Sequence, residues 1–173
     1  DLSGGVPFGR GQLQSLDNLK LVDNEGGSVP FQAKILSKWP DKSIKWILMD
    51  LKSDISAKEQ KQYFLRYANT ITRQAISSFL NLKETPEEIV VNTGTIQFSL
   101  SKKNFYLFDN IWLDKNSDGK FDDSEIVSSK TDLVLAHNGK EYYSHLDKDY
   151  TLTVEEVGPL KVCLKAKGWF VSE

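Results

Sequence analysis

Phe31-Gln32-Ala33-Lys34-Ile35-Leu36-Ser37-Lys38-Trp39-Pro40-Asp41-Lys42-Ser43-Ile44-Lys45-Trp46-Ile47-Leu48-Met49-Asp50-Leu51 carries two β-type runs around one reversal. Phe31 to Trp39 alternates, Pro40-Asp41-Lys42-Ser43 supplies a turn with its first φ fixed by proline, and Ile44 to Leu51 runs back. The reading is a β-hairpin. An even-numbered loop puts Phe31, Ala33, Ile35 and Trp39 on one face with Ile44, Trp46 and Leu48, and that face is apolar enough to form a core. It also makes Trp39 and Trp46 core residues rather than sugar platforms. The same register sets Lys38 against Lys45, a small repulsive cost.

Working outward, Gly4-Gly5-Val6-Pro7-Phe8 and Gly9-Arg10-Gly11 read as turns, Leu19 to Val22 as a strand, and Asp23-Asn24-Glu25-Gly26-Gly27 as another turn. Ser56 to Gln62 has helix-forming composition but no apolar stripe, so it reads as a turn before a strand at Tyr63 to Tyr67. Residues 68–88 are polar around the short runs Ala75-Ile76 and Phe79-Leu80, ending in Thr85-Pro86-Glu87-Glu88, and suggest a domain boundary. Beyond it, Ile89 to Asn92, Thr95 to Leu100, Tyr106 to Leu113, Tyr150 to Glu156 and Leu160 to Phe170 read as strands. Leu133 to Ala136 meets Lys140 to Ser144 through His137-Asn138-Gly139, and Asn-Gly favours a two-residue hairpin turn. The expectation is an all-β chain, with one domain over 1–88 and the antiparallel strands of a β-sandwich over 89–173. Because the chain stops just after Trp169-Phe170, the second half reads as truncated.

The 173 residues are 39% hydrophobic and 27% charged with a formal charge of −2, and mean hydropathy is −0.40. That composition describes a globular protein able to bury its own core. Without a basic block, no footprint for nucleic acid exists, and without an apolar run near 18 residues no membrane span is expected. The chain begins at Asp1 with no signal h-region and reads as an excised or processed segment, compatible with export. Cys163 alternates with apolar neighbours as a small strand residue would.

One chemical motif stands out. Asp114-Lys115-Asn116-Ser117-Asp118-Gly119-Lys120-Phe121-Asp122-Asp123-Ser124-Glu125 fits the EF-hand loop at every diagnostic position. A Ca²⁺ ion needs six to eight converging oxygens. Asp114, Asn116, Asp118, the backbone carbonyl of Lys120, Asp122 and Glu125 would supply them, with Gly119 at the sharp turn. Five carboxylates against two lysines in twelve residues would otherwise repel. The alternative is a solvated acidic turn, which has no need of Glu at the twelfth position. The flanking residues favour strands over helices. The expected site is therefore a structural calcium loop grafted on a β-hairpin, with the roughly 10⁻⁴ to 10⁻³ M affinity of extracellular modules. His137 and His145 lack ligand spacing, and Gly9-Arg10-Gly11 follows no strand, so neither a second metal site nor a phosphate loop is indicated.

Gly4-Gly5-Val6-Pro7-Phe8-Gly9-Arg10-Gly11-Gln12-Leu13, Leu21-Val22-Asp23 with Gly26, Val29-Pro30-Phe31-Gln32, and Trp39-Pro40-Asp41-Lys42-Ser43-Ile44-Lys45-Trp46 together resemble the opening of the exo-rhamnogalacturonan lyase family. The resemblance implies an N-terminal RIFT-type β-barrel over 1–88. Val91-Asn92-Thr93-Gly94 and Phe105 to Asn110 look like the start of the family's central β-sandwich, which precedes an α/α-toroid. Gly9 and Lys42 depart from the family's pattern, which tends to have proline and glycine there. No catalytic residue carries over onto these turn and core motifs. Two functional expectations follow: a non-catalytic N-terminal portion of a polysaccharide lyase-like protein acting on rhamnogalacturonan or other pectic glycans, or a calcium-stabilised carbohydrate-binding or adhesion module. The expected partner is a plant-type polysaccharide or oligosaccharide, and the compartment extracellular or periplasmic. Were this segment active, Arg10, Arg66, His137 and His145 are the groups best able to pair with a carboxylate or move a proton.

Overall fold

The computed structural model describes residues 1–73, 75–78 and 80–173; Phe79, read above as part of a short apolar run, lies outside them. Among the described residues there are fourteen strands, three 3₁₀ turns and no α-helix. The fold is all-β. It divides into two compact units, Asp1–Ser77 and Ser78–Glu173.

The first unit holds β1 (Leu2–Pro7), β2 (Leu19–Asp23), β3 (Phe31–Lys38), β4 (Ile44–Leu51) and β5 (Tyr63–Tyr67). One antiparallel sheet has the order β1-β4-β3, and β2 pairs with β5 in a second. The Gly-Pro opening is thus a strand and not the turn its composition suggests. Gly5 stands opposite Leu48, and a Cβ there would come within 2.5 Å of Trp46 Nε1, so the indole fills the space of the missing side chain. Proline at the strand end loses no bond that the chain needs.

The hairpin forms, but its faces differ from the simple alternation. Ile35 pairs with Ile47, Ser37 with Trp46 and Lys38 with Ile44, leaving Leu36 and Lys45 as unpaired bulge residues. Each bulge changes the phase by one residue. The inward set on β4 is therefore Ile44, Ile47 and Leu51, exposed by 0, 0 and 7%, whereas Trp46 is 40% exposed. Trp46 and Leu48 do not join the core, and Lys38 does not face Lys45. Trp39 is half-buried and donates from Nε1 to the Phe8 carbonyl at 3.1 Å, with Lys45 Nζ 4.6 Å from its ring centre. The core proper is Phe8, Leu13, Leu19, Leu21, Phe31, Ile44, Ile47 and Leu51.

Two turns lock this unit. The Ser43 hydroxyl is fully buried, donates to Asp41 Oδ1 at 2.5 Å and accepts the Gly11 amide at 2.9 Å, while Arg10 Nε donates to Asp41 Oδ2 at 3.1 Å. Lys42, where the family pattern has glycine, takes φ of 69° at the tip. Gly9 donates its amide to Gln12 Oε1 at 2.8 Å, a bond proline could not make.

The second unit contains β6 (Asn81–Glu84), β7 (Glu88–Asn92), β8 (Ile96–Ser101), β9 (Phe108–Leu113), β10 (Ile126–Thr131), β11 (Val134–His137), β12 (Lys140–Tyr143), β13 (Thr151–Val157) and β14 (Val162–Lys167). A five-stranded antiparallel sheet runs β10-β9-β8-β7-β6, and the hairpins β11-β12 and β13-β14 stand beside it. Ile89, Val91 and Leu100 from the sheet meet Leu152 from β13 in a sandwich-like core, with Val154, Val162 and Leu164 packed against it. Asn138 and Gly139, at φ of 49° and 75°, make the expected primed turn. Val127 is a bulge on the outermost strand β10, and Lys130 on the same strand has φ of 47°.

The bulged register can be tested by truncation. Ile47→Ala should cost about 2–4 kcal/mol of barrel stability in urea denaturation, and Leu48→Ala less than half as much. The reverse order would restore the unbulged alternation.

Candidate functional site

The acidic segment leaves β9 at Leu113 and returns through a 3₁₀ turn, Asp123–Glu125, into β10. Its carboxylates hold the loop's own amides. Asp114 Oδ1 accepts from Asp118 N at 3.2 Å and its Oδ2 from Gly119 N at 3.0 Å; Asn116 Oδ1 accepts from Asp118 N at 2.9 Å, and Asp118 Oδ1 from Lys120 N at 2.8 Å. Asp122 caps the 3₁₀ turn, taking the Ser124 amide at 2.8 Å and its hydroxyl at 2.6 Å, and these bonds hold its carboxyl below the usual range. Glu125 is 4% exposed, and its Oε1 accepts the Lys115 amide at 3.0 Å across the loop. Gly119 has φ of 75°, the sharp turn the motif requires, and Ser117 is left-handed as well at 61°. Among the described residues, no three His, Cys, Asp or Glu side chains converge closely enough to hold a metal ion. The loop's six named positions are thus adjacent and oriented by the backbone, without a closed shell of carboxylates.

A second polar cluster joins residues far apart in sequence. Asp132 Oδ1 accepts from the Leu133 amide at 2.9 Å and from the Ser144 hydroxyl at 2.8 Å, while its Oδ2 meets His145 Nδ1 at 2.5 Å. Tyr106 stacks on the imidazole at 5.0 Å with an interplanar angle of 7°, and Tyr143 approaches it edge-on at 5.6 Å. Ser144, itself buried, also lies within hydrogen-bond distance of the Phe105 carbonyl, at 2.8 Å. His145 is therefore no simple solvated turn residue, and spacing along the chain could not reveal its partner thirteen positions away. Burial pushes the Asp132 pKa up, but bonds from Ser144, His145 and the Leu133 amide, with the imidazole's charge, outweigh it and hold the carboxyl low.

The other candidates scatter. Arg10 is tied to Asp41. Arg66 is exposed on β5 opposite Lys20, and His137 is exposed on β11 opposite Lys140. Burial raises the pKa of Asp109 on β9 and drives the phenol of Tyr150, just before β13, up to about 12, and that phenol donates to the Ser101 carbonyl.

Residues 2–66 match the family model of the PcRGLX-like N-terminal RIFT barrel domain. Over that stretch the chain is similar to the N-terminal RIFT barrel domain that the model describes. No curated protein matches the chain.

The Asp132 cluster has a pH signature. A carboxyl with a lowered folded pKa contributes stability that is present above the unfolded value of about 3.9 and is lost as pH falls through the folded one. Asp109, with its raised pKa, works in the opposite sense, so the difference between wild type and Asp132→Asn isolates the cluster. The gap between their urea midpoints should hold down to about pH 5 and shrink as pH falls from there toward pH 3. A pH-independent gap would contradict the assignment.

Proposed function

We propose that this chain is the non-catalytic N-terminal portion of a polysaccharide lyase-like protein acting on rhamnogalacturonan or related pectic glycans. The observation that carries the reading is the RIFT barrel match over residues 2–66. β-Elimination at a uronate needs a base at the C5 proton and a cation or protonated group to neutralise the adjacent carboxylate. The histidines that could move a proton are engaged or apart: His145 pairs with Asp132 and His137 stands on an exposed hairpin, while Arg10 pairs with Asp41. Contact with sugar has better support. Trp46 is 40% exposed, with the Nε1 edge of its indole in the space over Gly5, and an exposed indole suits a pyranose face. Export to an extracellular or periplasmic compartment fits a plant-type polysaccharide partner.

A glycan array and a lyase assay following the ultraviolet absorbance of the unsaturated product test this reading together. Pectic oligosaccharides should bind while the purified chain yields no unsaturated product. Robust turnover would overturn the non-catalytic assignment, and an array without pectic ligands would overturn the substrate class.

A second reading, a calcium-stabilised carbohydrate-binding or adhesion module, is favoured by Glu125, a buried carboxylate at the twelfth loop position with its oxygen turned across the loop. Asp114, Asn116, Asp118, the Lys120 carbonyl, Asp122 and Glu125 would supply oxygens, and closing them round one ion requires side-chain movement. The ion's role would be structural, tying β9 to β10. At ten times Kd, Ca²⁺ should stabilise the fold by about 1.4 kcal/mol, so millimolar Ca²⁺ should raise the melting temperature. Glu125→Gln should remove most of that shift, and equilibrium dialysis finding no bound calcium at millimolar concentration would leave an acidic turn.

A further inference from the structure

In the barrel unit, residues 68–73 are strapped against the start of β2. The Arg73 amide donates to the Asp17 carbonyl at 2.8 Å, and Asn18 Nδ2 donates to the Ile71 carbonyl at 3.2 Å. This strap delivers the Arg73 guanidinium onto the Phe31 ring, 4.4 Å from its centroid, where Nη2 donates to the Phe31 carbonyl. Stacking on an aromatic face and one carbonyl bond fix the plane of the fork while leaving other N–H donors free. The guanidinium lines a cleft of about 340 Å³, together with Lys20, Ser28, Val29, Pro30 and Phe31.

The charge around this cleft is unbalanced. Lys20 on β2 stands directly opposite Arg66 on β5, so their side chains leave the same face of that pair of strands. Like charges directly opposite one another destabilise a sheet. Among the described residues, neither Lys20, Arg66 nor Arg73 has a carboxylate within ion-pair distance. Asp17 attracts Arg73 from a greater distance, and its own carboxylate accepts the Ser15 hydroxyl at 3.0 Å. A planar cation held over an aromatic ring, with Lys20 in the same cleft, Arg66 across the strand pair from Lys20 and an apolar wall of Val29 and Pro30, suits a ligand with one carboxylate on a ring that has apolar C–H faces. A uronic-acid unit has that chemistry.

We infer that the cleft between the Arg73 strap and β2 is a subsite for a uronate carboxylate, with Arg73 as the binding fork and Lys20 and Arg66 supplying the surrounding positive field. The inference rests on the pectic reading above and locates part of that glycan on the barrel. Calorimetric titration of the purified chain with tetragalacturonate, its methyl ester and polyglutamate tests it. The acid form should bind at least tenfold more tightly than the ester, and raising salt from 50 to 300 mM should weaken it severalfold. Arg73→Gln should weaken binding about tenfold or more. Arg66→Gln, an exposed change on β5 that leaves the strap untouched and removes the repulsion from Lys20, should weaken it about threefold with a melting temperature no lower than that of the wild type. Binding that survives both variants overturns this subsite and leaves the pectic reading intact, as does a wild-type chain that ignores tetragalacturonate while binding other pectic oligosaccharides on the array. Equal, Arg73-dependent binding of polyglutamate overturns the assignment to a sugar.

Discussion

A single hydroxyl, buried to the last square ångström, fixes the barrel unit: Ser43 Oγ between the Asp41 carboxylate and the Gly11 amide. Such a group without partners would cost about 1–3 kcal/mol, so the two turns that satisfy it are held together whenever the unit is folded. The consequences spread outward from there. Phe8 N donates to the Lys45 carbonyl and Ile44 N to the Leu13 carbonyl, at 2.9 and 2.8 Å. Those bonds carry Phe8 and Leu13 over Ile44 and Ile47, which is where the core closes. The Arg10–Asp41 pair is exposed on the arginine side and adds little energy of its own, but it orients the carboxylate that Ser43 needs.

The two motifs at Gly9-Arg10-Gly11 and Trp39-Pro40-Asp41-Lys42-Ser43 therefore make sense as one object. Read along the chain they are two turns thirty residues apart, and nothing in either suggests the other. Local chemistry was legible where it acts locally: proline and aspartate at the hairpin reversal, Asn138-Gly139 in its primed turn, the apolar residues of β2, and β-branched and aromatic residues in β5 and β7 to β9. It misled where the chain needs a neighbour. Gly4 to Phe8 reads as a turn until Trp46 is seen filling the space over Gly5, and strict alternation on β4 fails because Leu36 and Lys45 bulge out of the ladder.

The same division runs through the candidate sites. The spacing of the acidic loop is a property of twelve consecutive residues, so its glycine, its cap and its final glutamate could be placed from sequence. The Asp132–Ser144–His145 cluster depends on a 3₁₀ turn meeting the residue after β10, and neither histidine shows a motif. Arg73 sits in a polar stretch that reads as a linker, because the signal that matters is its stacking on Phe31, forty-two positions earlier.

The bulge at Val127 and the left-handed backbone of Lys130 also bear on how this protein behaves when concentrated. They lie on β10, one outer strand of the five-stranded sheet; the other outer strand, β6, is four residues long and ends in Lys83 and Glu84. A sheet recruits further strands through a straight edge of unpaired amides and carbonyls, the route to ordered aggregates. Here one edge is twisted out of register and the other is short and charged. The sheet is thereby poorly suited to template its own extension.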